Sequence, residues 1–318
     1  MTLRLVAAMV ALVVSATGLQ AQQMIAPKKP KPVIQRQVAP DLYFVFDYDS
    51  SNSAFLVTDD GVLVIDTRQH PQDGRDLIKR IRAVTDKPIK WVVNTHFHGD
   101  HHFGNSAFKE VGATIVAQED TDRLMRLTFK KEFARRGKFF QSRGYDPAEV
   151  RLTPADVTFQ REMVIRLGGK EVRLMYLGPG QNPGDTFVYI PHDRVIYTPG
   201  AFAKRSWANT AFTPSVDSWI NLLQNISKMD VDKVLPAHGD VATREDVGEM
   251  AKFLADEYAG VKDAVARGMS ADEAAKTLTF PQYRDYRNYR VREHDIRSLY
   301  SLIKTGRSDY FDDASGKH

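Results

Sequence analysis

Short runs of apolar residues, bounded by polar turn residues, predict β-strands in the first half of the chain. These runs are residues 42–46, 53–58, 61–66, 89–94 and 114–117. Asp59, Asp60 and Gly61 separate two of the runs and are typical of a hairpin turn. Between residues 77 and 84 the apolar positions follow helical spacing instead, which predicts a helix before the fourth strand.

The second half repeats this combination of strands and helices. Its predicted strands are residues 164–167, 171–177, 186–190, 195–197 and 233–236. A helix with Trp219, Leu222 and Ile226 on one face lies between the last two of these strands. Two strand-rich halves that each carry helices indicate an α/β fold, with two sheets packed face to face and helices outside.

Two further segments are predicted to be at least partly helical. Residues 119–126 predict a helix, and we interpret the basic, aromatic segment 129–145 after it as an insertion. This segment is either a flap over an anionic, partly apolar substrate or a solvated helix face. Residues 244–318 predict a helical extension that packs on the same domain, because it has too few apolar residues for a core of its own.

The ends of the chain and its composition limit location and partners. Residues 1–21 resemble a secretory signal peptide, and the Lys- and Pro-rich residues 22–40 suit an extended linker. We therefore expect a periplasmic or secreted protein whose mature form has no transmembrane segment. The net charge of +4 is small and mixed along the sequence, which favours a small-molecule substrate over nucleic acid. The oligomeric state stays open.

The candidate chemistry lies in residues 96–101, where three histidines and one aspartate occupy six positions. On an extended chain His96 and His98 point the same way, and the turn at Gly99 redirects Asp100 and His101. The chain has no cysteine, so histidine, carboxylate or amide groups must hold any metal ion. Such ligands suit zinc, which lowers the pKa of a bound water to about 7 and so makes hydroxide available for hydrolysis.

The order of these residues resembles the signature of the metallo-β-lactamase superfamily. Residues 96–101 follow an apolar strand, residues 177–186 resemble the segment that carries a third histidine, and residues 235–239 resemble the segment that carries the last one, here His238. The resemblance implies an αββα sandwich of two mixed sheets over residues 41–243, with the metal site at one edge of the sheets.

Two positions depart from the family's pattern. Gln181 stands where the family usually has the third histidine, and Gly200 stands where it usually has an aspartate that bridges two metal ions. Gln181 is at best a weak amide ligand. The bridge is absent, because no acidic residue occurs between Asp193 and Asp217.

The remaining ligands form two unequal sets. Asp100, His101 and His238 suffice for one zinc ion, since three protein ligands and a water make an ordinary catalytic zinc site. His96 and His98, with Gln181 as a weak amide ligand, are left for the other position, called here the first metal position, so two zinc ions are the alternative. With one ion, we expect His96 and His98 to hydrogen-bond the attacking water or an oxyanion, and Asp100 to share ligation and proton transfer.

The resemblance implies a zinc-dependent hydrolase that uses metal-bound hydroxide on a carbonyl-type substrate such as a β-lactam, lactone or ester. The family also includes hydrolases of thioesters, phosphodiesters and sulfate esters, so the substrate stays open. The two departures support a second hypothesis, a catalytically degenerate protein that binds a metal ion or a ligand. A third hypothesis is iron chemistry, because two histidines and a carboxylate also form oxygen-activating iron sites. Lys204 and Arg205 follow Gly200 closely and are candidates for binding a substrate carboxylate.

Overall fold

Two β-sheets form the centre of the protein in a computed structural model that describes residues 31–312. The strands of the first sheet, which lie side by side in chain order, are β1 (Ile34–Ala39), β2 (Leu42–Phe46), β3 (Ser53–Thr58), β4 (Gly61–Ile65), β5 (Ile89–Asn94), β6 (Thr114–Gln118) and β7 (Val157–Phe159). The strands of the second sheet are β8 (Glu162–Leu167), β9 (Lys170–Tyr176), β10 (Thr186–Ile190), β11 (Val195–Thr198) and β12 (Lys233–Pro236). Both sheets are mixed: β1 to β4 and β8 to β11 pair antiparallel, whereas β4 to β7 and β11 to β12 pair parallel.

Helices cover the outer faces of both sheets. The helices of the described residues are α1 (Pro71–Arg82), α2 (Gly99–His102), α3 (Asn105–Glu110), α4 (Glu119–Arg143), α5 (Val216–Ile226), α6 (Arg244–Ala266), α7 (Ala271–Thr277), α8 (Arg292–Thr305) and α9 (Asp309–Asp312). Short 3-10 turns lie at Pro147–Glu149, Pro191–Asp193, Thr210–Phe212, Pro281–Tyr283 and Tyr289–Val291. No helix within residues 31–312 is long and apolar enough to cross a bilayer.

The core between the sheets comes from one face of each. Side chains alternate between the faces of a strand, so every second residue of a central strand points to the partner sheet. Leu56 and Leu63 of the first sheet share one buried cluster with Val188 and Leu235 of the second. The predicted α/β fold is confirmed.

The outer faces pack against helices in the same manner. Leu77 and Ile81 of α1 join Val64 in a cluster on the first sheet. Trp219 of α5 joins Ile196 in a cluster on the second sheet, and α6 and α8 contribute to the same cluster. The order of layers is therefore helix, sheet, sheet, helix, and the helices of residues 244–305 add to the outer layer of the second sheet.

The first sheet begins inside the segment that the sequence indicated as a linker. Residues 34–39 form β1, an edge strand that pairs antiparallel with β2, with Ile34 opposite Phe46. The prediction of a linker to residue 40 was wrong at its C-terminal end, because the Pro and Lys residues before position 33 dominate the composition and hide a strand with one half-buried face. The predicted signal peptide, residues 1–21, lies outside the described residues.

Helix α4 is longer than the sequence indicated. The helix predicted for residues 119–126 continues without a break to Arg143 and ends at Gly144, which has a left-handed φ of 66°. Phe129 and Phe140 pack against Phe103 in one cluster. Residues 129–143 therefore form the C-terminal part of a helix whose aromatic side chains pack against the histidine-rich loop, and Arg135, Arg136 and Phe139 of this part line the cleft.

Candidate metal centre

The candidate ligands lie at one edge of the sandwich, where the C-terminal ends of several strands meet. His96 and His98 follow β5, and Gly99 to His102 form α2 directly after them. The chain beyond β12 reaches the same edge, where the amide of Ala237 donates to the carbonyl of Thr198 over 2.9 Å. This arrangement brings His238 to the loop that carries residues 96–101.

Asp100, His101 and His238, called here the ligand triad, face one another at nearly equal distances. The His101 and His238 Nε2 atoms are 3.2 Å apart, and Asp100 Oδ2 is 3.2 Å from His238 Nε2 and 3.5 Å from His101 Nε2. Ligand atoms at about 2.0–2.1 Å from a tetrahedral zinc ion lie about 3.3–3.4 Å from one another. The ligand triad therefore has the spacing of three corners of a tetrahedral site.

His96 and His98 lie beside the ligand triad with unused ring nitrogens. Both Nε2 atoms are buried, and neither makes a hydrogen bond within the described part of the chain. Burial holds the pKa of both rings well below their usual value, so both are neutral at physiological pH. A buried imidazole nitrogen without a partner is costly, and a neutral one is the form that binds metal ions.

Gln181 reaches the first position next to these two rings. A Cβ atom at Gly200 would collide with Gln181 Oε1 and would lie 3.3 Å from His96 Nε2. Asn182 donates to Asp185 from its backbone amide over 3.0 Å and from its side chain over 2.9 Å, which fixes the loop that carries Gln181. Burial raises the pKa of Asp185 to about 7, and this carboxyl group serves to hold the turn.

Asp66 is a residue of the site that the sequence reasoning missed. Its Oδ2 atom lies 2.8 Å from His101 Nδ1, while Thr95 donates its amide and its hydroxyl to the same carboxyl group over 2.8 Å each. Because Tyr197 also donates to it over 3.3 Å, the oxygens of Asp66 are used by the protein. Burial raises the pKa of Asp66 to about 6. This group orients His101 so that Nε2 faces the other two ligands.

Helix α4 supplies a second set of supporting residues. The Arg136 guanidinium pairs with Asp100 Oδ1, which leaves Oδ2 facing the ligand triad. Glu132, one turn earlier, is fully buried and accepts a hydrogen bond from the Gly99 amide over 3.0 Å. Burial alone would raise the pKa of Asp100, but Arg136 and His101 outweigh it and hold this pKa well below its usual value.

The structure places Lys204 and Arg205, which were predicted to bind substrate, and His102, which adjoins the candidate ligands, away from the ligand triad. Lys204 pairs with Asp246 over 2.9 Å, and the Arg205 guanidinium lies over the Tyr286 ring at 5.4 Å. Neither of these predicted substrate ligands lines the cleft above the metal centre. His102 is not brought to the ligands, because its Nε2 lies 3.0 Å from the carbonyl of Phe97.

An open cleft of about 490 Å³ leads to the ligands. His98, Asp100, Gln181, Gly200 and His238 lie in its wall. The cleft is also lined by five aromatic or aliphatic side chains and three arginines, namely Phe46, Tyr48, Phe139, Trp207, Met250, Arg135, Arg136 and Arg287. Two carboxylates, Asp47 and Asp49, line it as well, and they pair with Arg68 and Arg143. The site therefore combines an open approach for solvent with walls that suit a partly apolar ligand.

Comparison with known proteins establishes the family of this chain. The model of the metallo-β-lactamase superfamily matches residues 47–238, more than half of the chain, and the chain belongs to this superfamily. A linear primary-alkylsulfatase from a Pseudomonas species is 26% identical over 286 residues, which cover 76% of this chain and 53% of that protein. The type 2 metallo-β-lactamase of Elizabethkingia meningoseptica is 23% identical over 238 residues, which cover 71% of this chain and 86% of that protein. The chain thus spans about half the length of the alkylsulfatase.

Solved structures show the same fold at low sequence identity. The inverting sec-alkylsulfatase Pisa1 from a Pseudomonas species superposes with a TM-score of 0.69 at 16% identity, over 88% of this chain and 52% of that one. A metallo-β-lactamase from Pontibacter korlensis superposes with a TM-score of 0.56 at 19% identity, over 70% of this chain and 99% of that one. The αββα sandwich that the resemblance implied is confirmed.

Proposed function

We propose that this chain is a zinc-dependent hydrolase that holds one zinc ion on the ligand triad. The spacing of the triad, with three ligand atoms 3.2–3.5 Å apart, carries the proposal. The two buried, unpartnered nitrogens of His96 and His98 add to it, because they give the site further groups that fit a metal ion or a polar ligand. A bound zinc ion would supply a Lewis acid and a water of lowered pKa.

The residues around the ligand triad then have separate tasks. Asp66 keeps the His101 proton on Nδ1, so that Nε2 is free as a ligand. Arg136 keeps Asp100 ionised and occupies one of its oxygens. His98 and Gln181, in the cleft wall, are positioned to hydrogen-bond a substrate oxygen.

The substrate class has two candidates. A carbonyl compound such as a β-lactam, lactone or ester follows from the family's chemistry and from the type 2 metallo-β-lactamase among the relatives. A sulfate ester is favoured by the extent of the superposition, since the alkylsulfatase matches 88% of this chain and the β-lactamase 70%. We propose hydrolysis of a carbonyl compound or of a sulfate ester, and the turnover assay compares these two substrate classes.

The test is a turnover assay on the zinc-loaded protein with one substrate of each class. Nitrocefin, dihydrocoumarin, 4-nitrophenyl acetate and decyl sulfate represent lactams, lactones, carboxyl esters and sulfate esters. We expect turnover of at least one substrate, and its loss in the His238→Gln variant. The His192→Gln variant is the matched control, because His192 is exposed and makes no contact with the ligand triad.

Zinc at full occupancy without turnover of any substrate would support the alternative, a degenerate member of the superfamily that binds a metal ion or a ligand. The departures at Gln181 and Gly200 motivate that alternative. We further propose a periplasmic or secreted location, which rests on the composition of residues 1–21. The mass of the exported protein tests this location, because it shows whether residues 1–21 have been cleaved.

A further inference from the structure

The C-terminal extension enters the wall of the cleft at Arg287. The Arg287 amide donates to the carbonyl of Arg205 over 2.8 Å, and the amide of Trp207 donates to the carbonyl of Arg287 over 2.7 Å. Asn288 donates from its side chain to Ser206 Oγ over 3.2 Å. The backbone of residues 287–288 is thus fixed to the loop that follows β11, and the exposed side chain of Arg287 extends from a fixed point in the cleft wall.

The Arg287 guanidinium lies over Gly239, the residue next to the ligand His238. A Cβ atom on Gly239 would come within 2.9 Å of Arg287 Nη2. Gly239 also has a φ of 105°, which side-chain-bearing residues rarely adopt, so the local backbone keeps this space clear. The charged end of Arg287 therefore lies beside the metal centre.

Arg287 differs from the other basic residues of the cleft in having no counter-ion. Arg135 pairs with Glu132, and Arg136 pairs with Asp100. The Arg287 guanidinium has no ion pair and no side-chain hydrogen bond to any residue in the described range 31–312. Partial desolvation lowers its pKa, with no carboxylate opposing the effect. An uncompensated cation in a concave site attracts anions.

We propose that Arg287 binds an anionic group of the substrate, and that the substrate is an organic anion with an apolar body. This inference rests on the proposed hydrolase function. A planar guanidinium binds carboxylate, sulfate and sulfonate groups through two parallel hydrogen bonds. The apolar body would pack on Phe139, Trp207 and Met250, which line the same cleft.

Calorimetric binding of two non-hydrolysable probes to the zinc-loaded full chain tests the inference without using activity. Decanoate and decanesulfonate have the same tail and differ in the anionic group, so their relative affinities separate a carboxylate site from a sulfate-like site. We expect the Arg287→Ala variant to bind the preferred probe about tenfold to a hundredfold more weakly, since hydrogen bonds to charged groups are lost. The Arg287→Lys variant keeps the charge and should lose less.

The Arg284→Ala variant is the matched control. Arg284 is exposed, lies three residues earlier on the same segment and does not line the cleft. Its removal lowers the net charge equally, so unchanged affinity in this variant shows that the effect is local. Zinc content and thermal unfolding of each variant establish that the metal centre and the fold are intact.

A kinetic comparison separates the role of Arg287 from the hydrolase proposal. With 4-nitrophenyl hemisuccinate, which carries a carboxylate, Arg287→Ala should raise KM and leave kcat nearly unchanged, while the neutral 4-nitrophenyl butyrate should show neither change. If Arg287→Ala binds both probes as tightly as the wild type, the inference is overturned and the hydrolase proposal is untouched. If probe binding depends on Arg287 but none of the lactam, lactone, carboxyl ester and sulfate ester substrates is turned over, the anion site stands and the hydrolase proposal fails.

Discussion

The side chain of Gln181 occupies the space that a side chain at position 200 would need. A Cβ atom at Gly200 would collide with Gln181 Oε1 and would also lie 3.3 Å from His96 Nε2. The two departures from the family's ligand pattern are therefore one structural feature. The longer amide side chain fits at this place because its neighbour has no side chain.

This relationship predicts a coupled effect of substitutions at the two positions. The Gly200→Ala variant should lose about 1–3 kcal/mol of unfolding free energy, because the added methyl group must displace Gln181 from a packed site. The Gln181→Ala/Gly200→Ala double variant should regain most of this loss, since the shortened side chain leaves room for the methyl group.

Denaturant unfolding of the wild type, both single variants and the double variant measures this coupling. Gly137→Ala is the control, because a Cβ atom at that helical position meets no atom within 4 Å. Additive effects of the two substitutions would mean that Gln181 and residue 200 do not share this space.

Asp66 should control metal affinity through the proton on His101. In the Asp66→Asn variant the new amide donates toward Nδ1, so the ring proton moves to Nε2, the atom that faces the ligand triad. We expect zinc affinity to fall about tenfold to a hundredfold while the fold is retained. Competition with a chromophoric chelator measures the affinity.

The control for this experiment is Asp73→Asn, another buried carboxylate that bonds Tyr145 over 2.6 Å and does not contact the ligands. Its zinc affinity should match that of the wild type. Equal loss in both variants would show that the effect comes from general destabilisation and not from the orientation of His101.

The buried acid Asp295 should make stability depend on pH. Burial raises its pKa from the usual 3.8 to about 6. Stability from this group is therefore complete below pH 3.8 and is lost as the pH rises through about 6. Glu257, a buried carboxyl group beside Asp295, also has a pKa well above its usual value because of burial and the charge of Asp295, so the two groups share this pH dependence.

The Asp295→Asn variant should reduce this loss, since its side-chain oxygen can still accept the 2.6 Å hydrogen bonds from Thr210 but cannot ionise. The part of the pH dependence that comes from Glu257 should remain. Unfolding between pH 4 and 8 should be measured on chelator-treated protein, so that metal release adds no pH dependence of its own. Asp285→Asn, an exposed carboxyl in the same extension, is the control. A constant difference between Asp295→Asn and wild type across this range would rule out the raised pKa.

The sequence was sufficient to predict the fold, and it singled out the three side chains that the structure brings together as the ligand triad, for simple reasons. Alternating apolar positions define the strands, and the spacing of residues 96–101 places several ligands on one short loop. Gln181 and Gly200 could be located by motif order. The contact between their side-chain positions could not be predicted, because β10 and β11 separate the two residues in the sequence and only the fold brings their loops together.

The supporting residues were harder to find. Asp66 ends a predicted strand, and nothing local indicates that its carboxylate meets His101, 35 residues later. Glu132 and Arg136 are one helical turn apart, a spacing that was a usable signal once the helix was extended beyond residue 126. Lys204 and Arg205 were chosen by closeness in sequence, but the turn there directs both side chains to other partners.

Metal content per chain tests the central claim most directly. Elemental analysis of the purified protein should give about one zinc ion per chain, and the Asp100→Ala and His238→Ala variants should each lose it, while His192→Gln keeps it. Two ions per chain would mean that Gln181 completes a first site with His96 and His98, and retention of zinc in both ligand variants, or no zinc in the wild type, would contradict the assignment of the ligand triad.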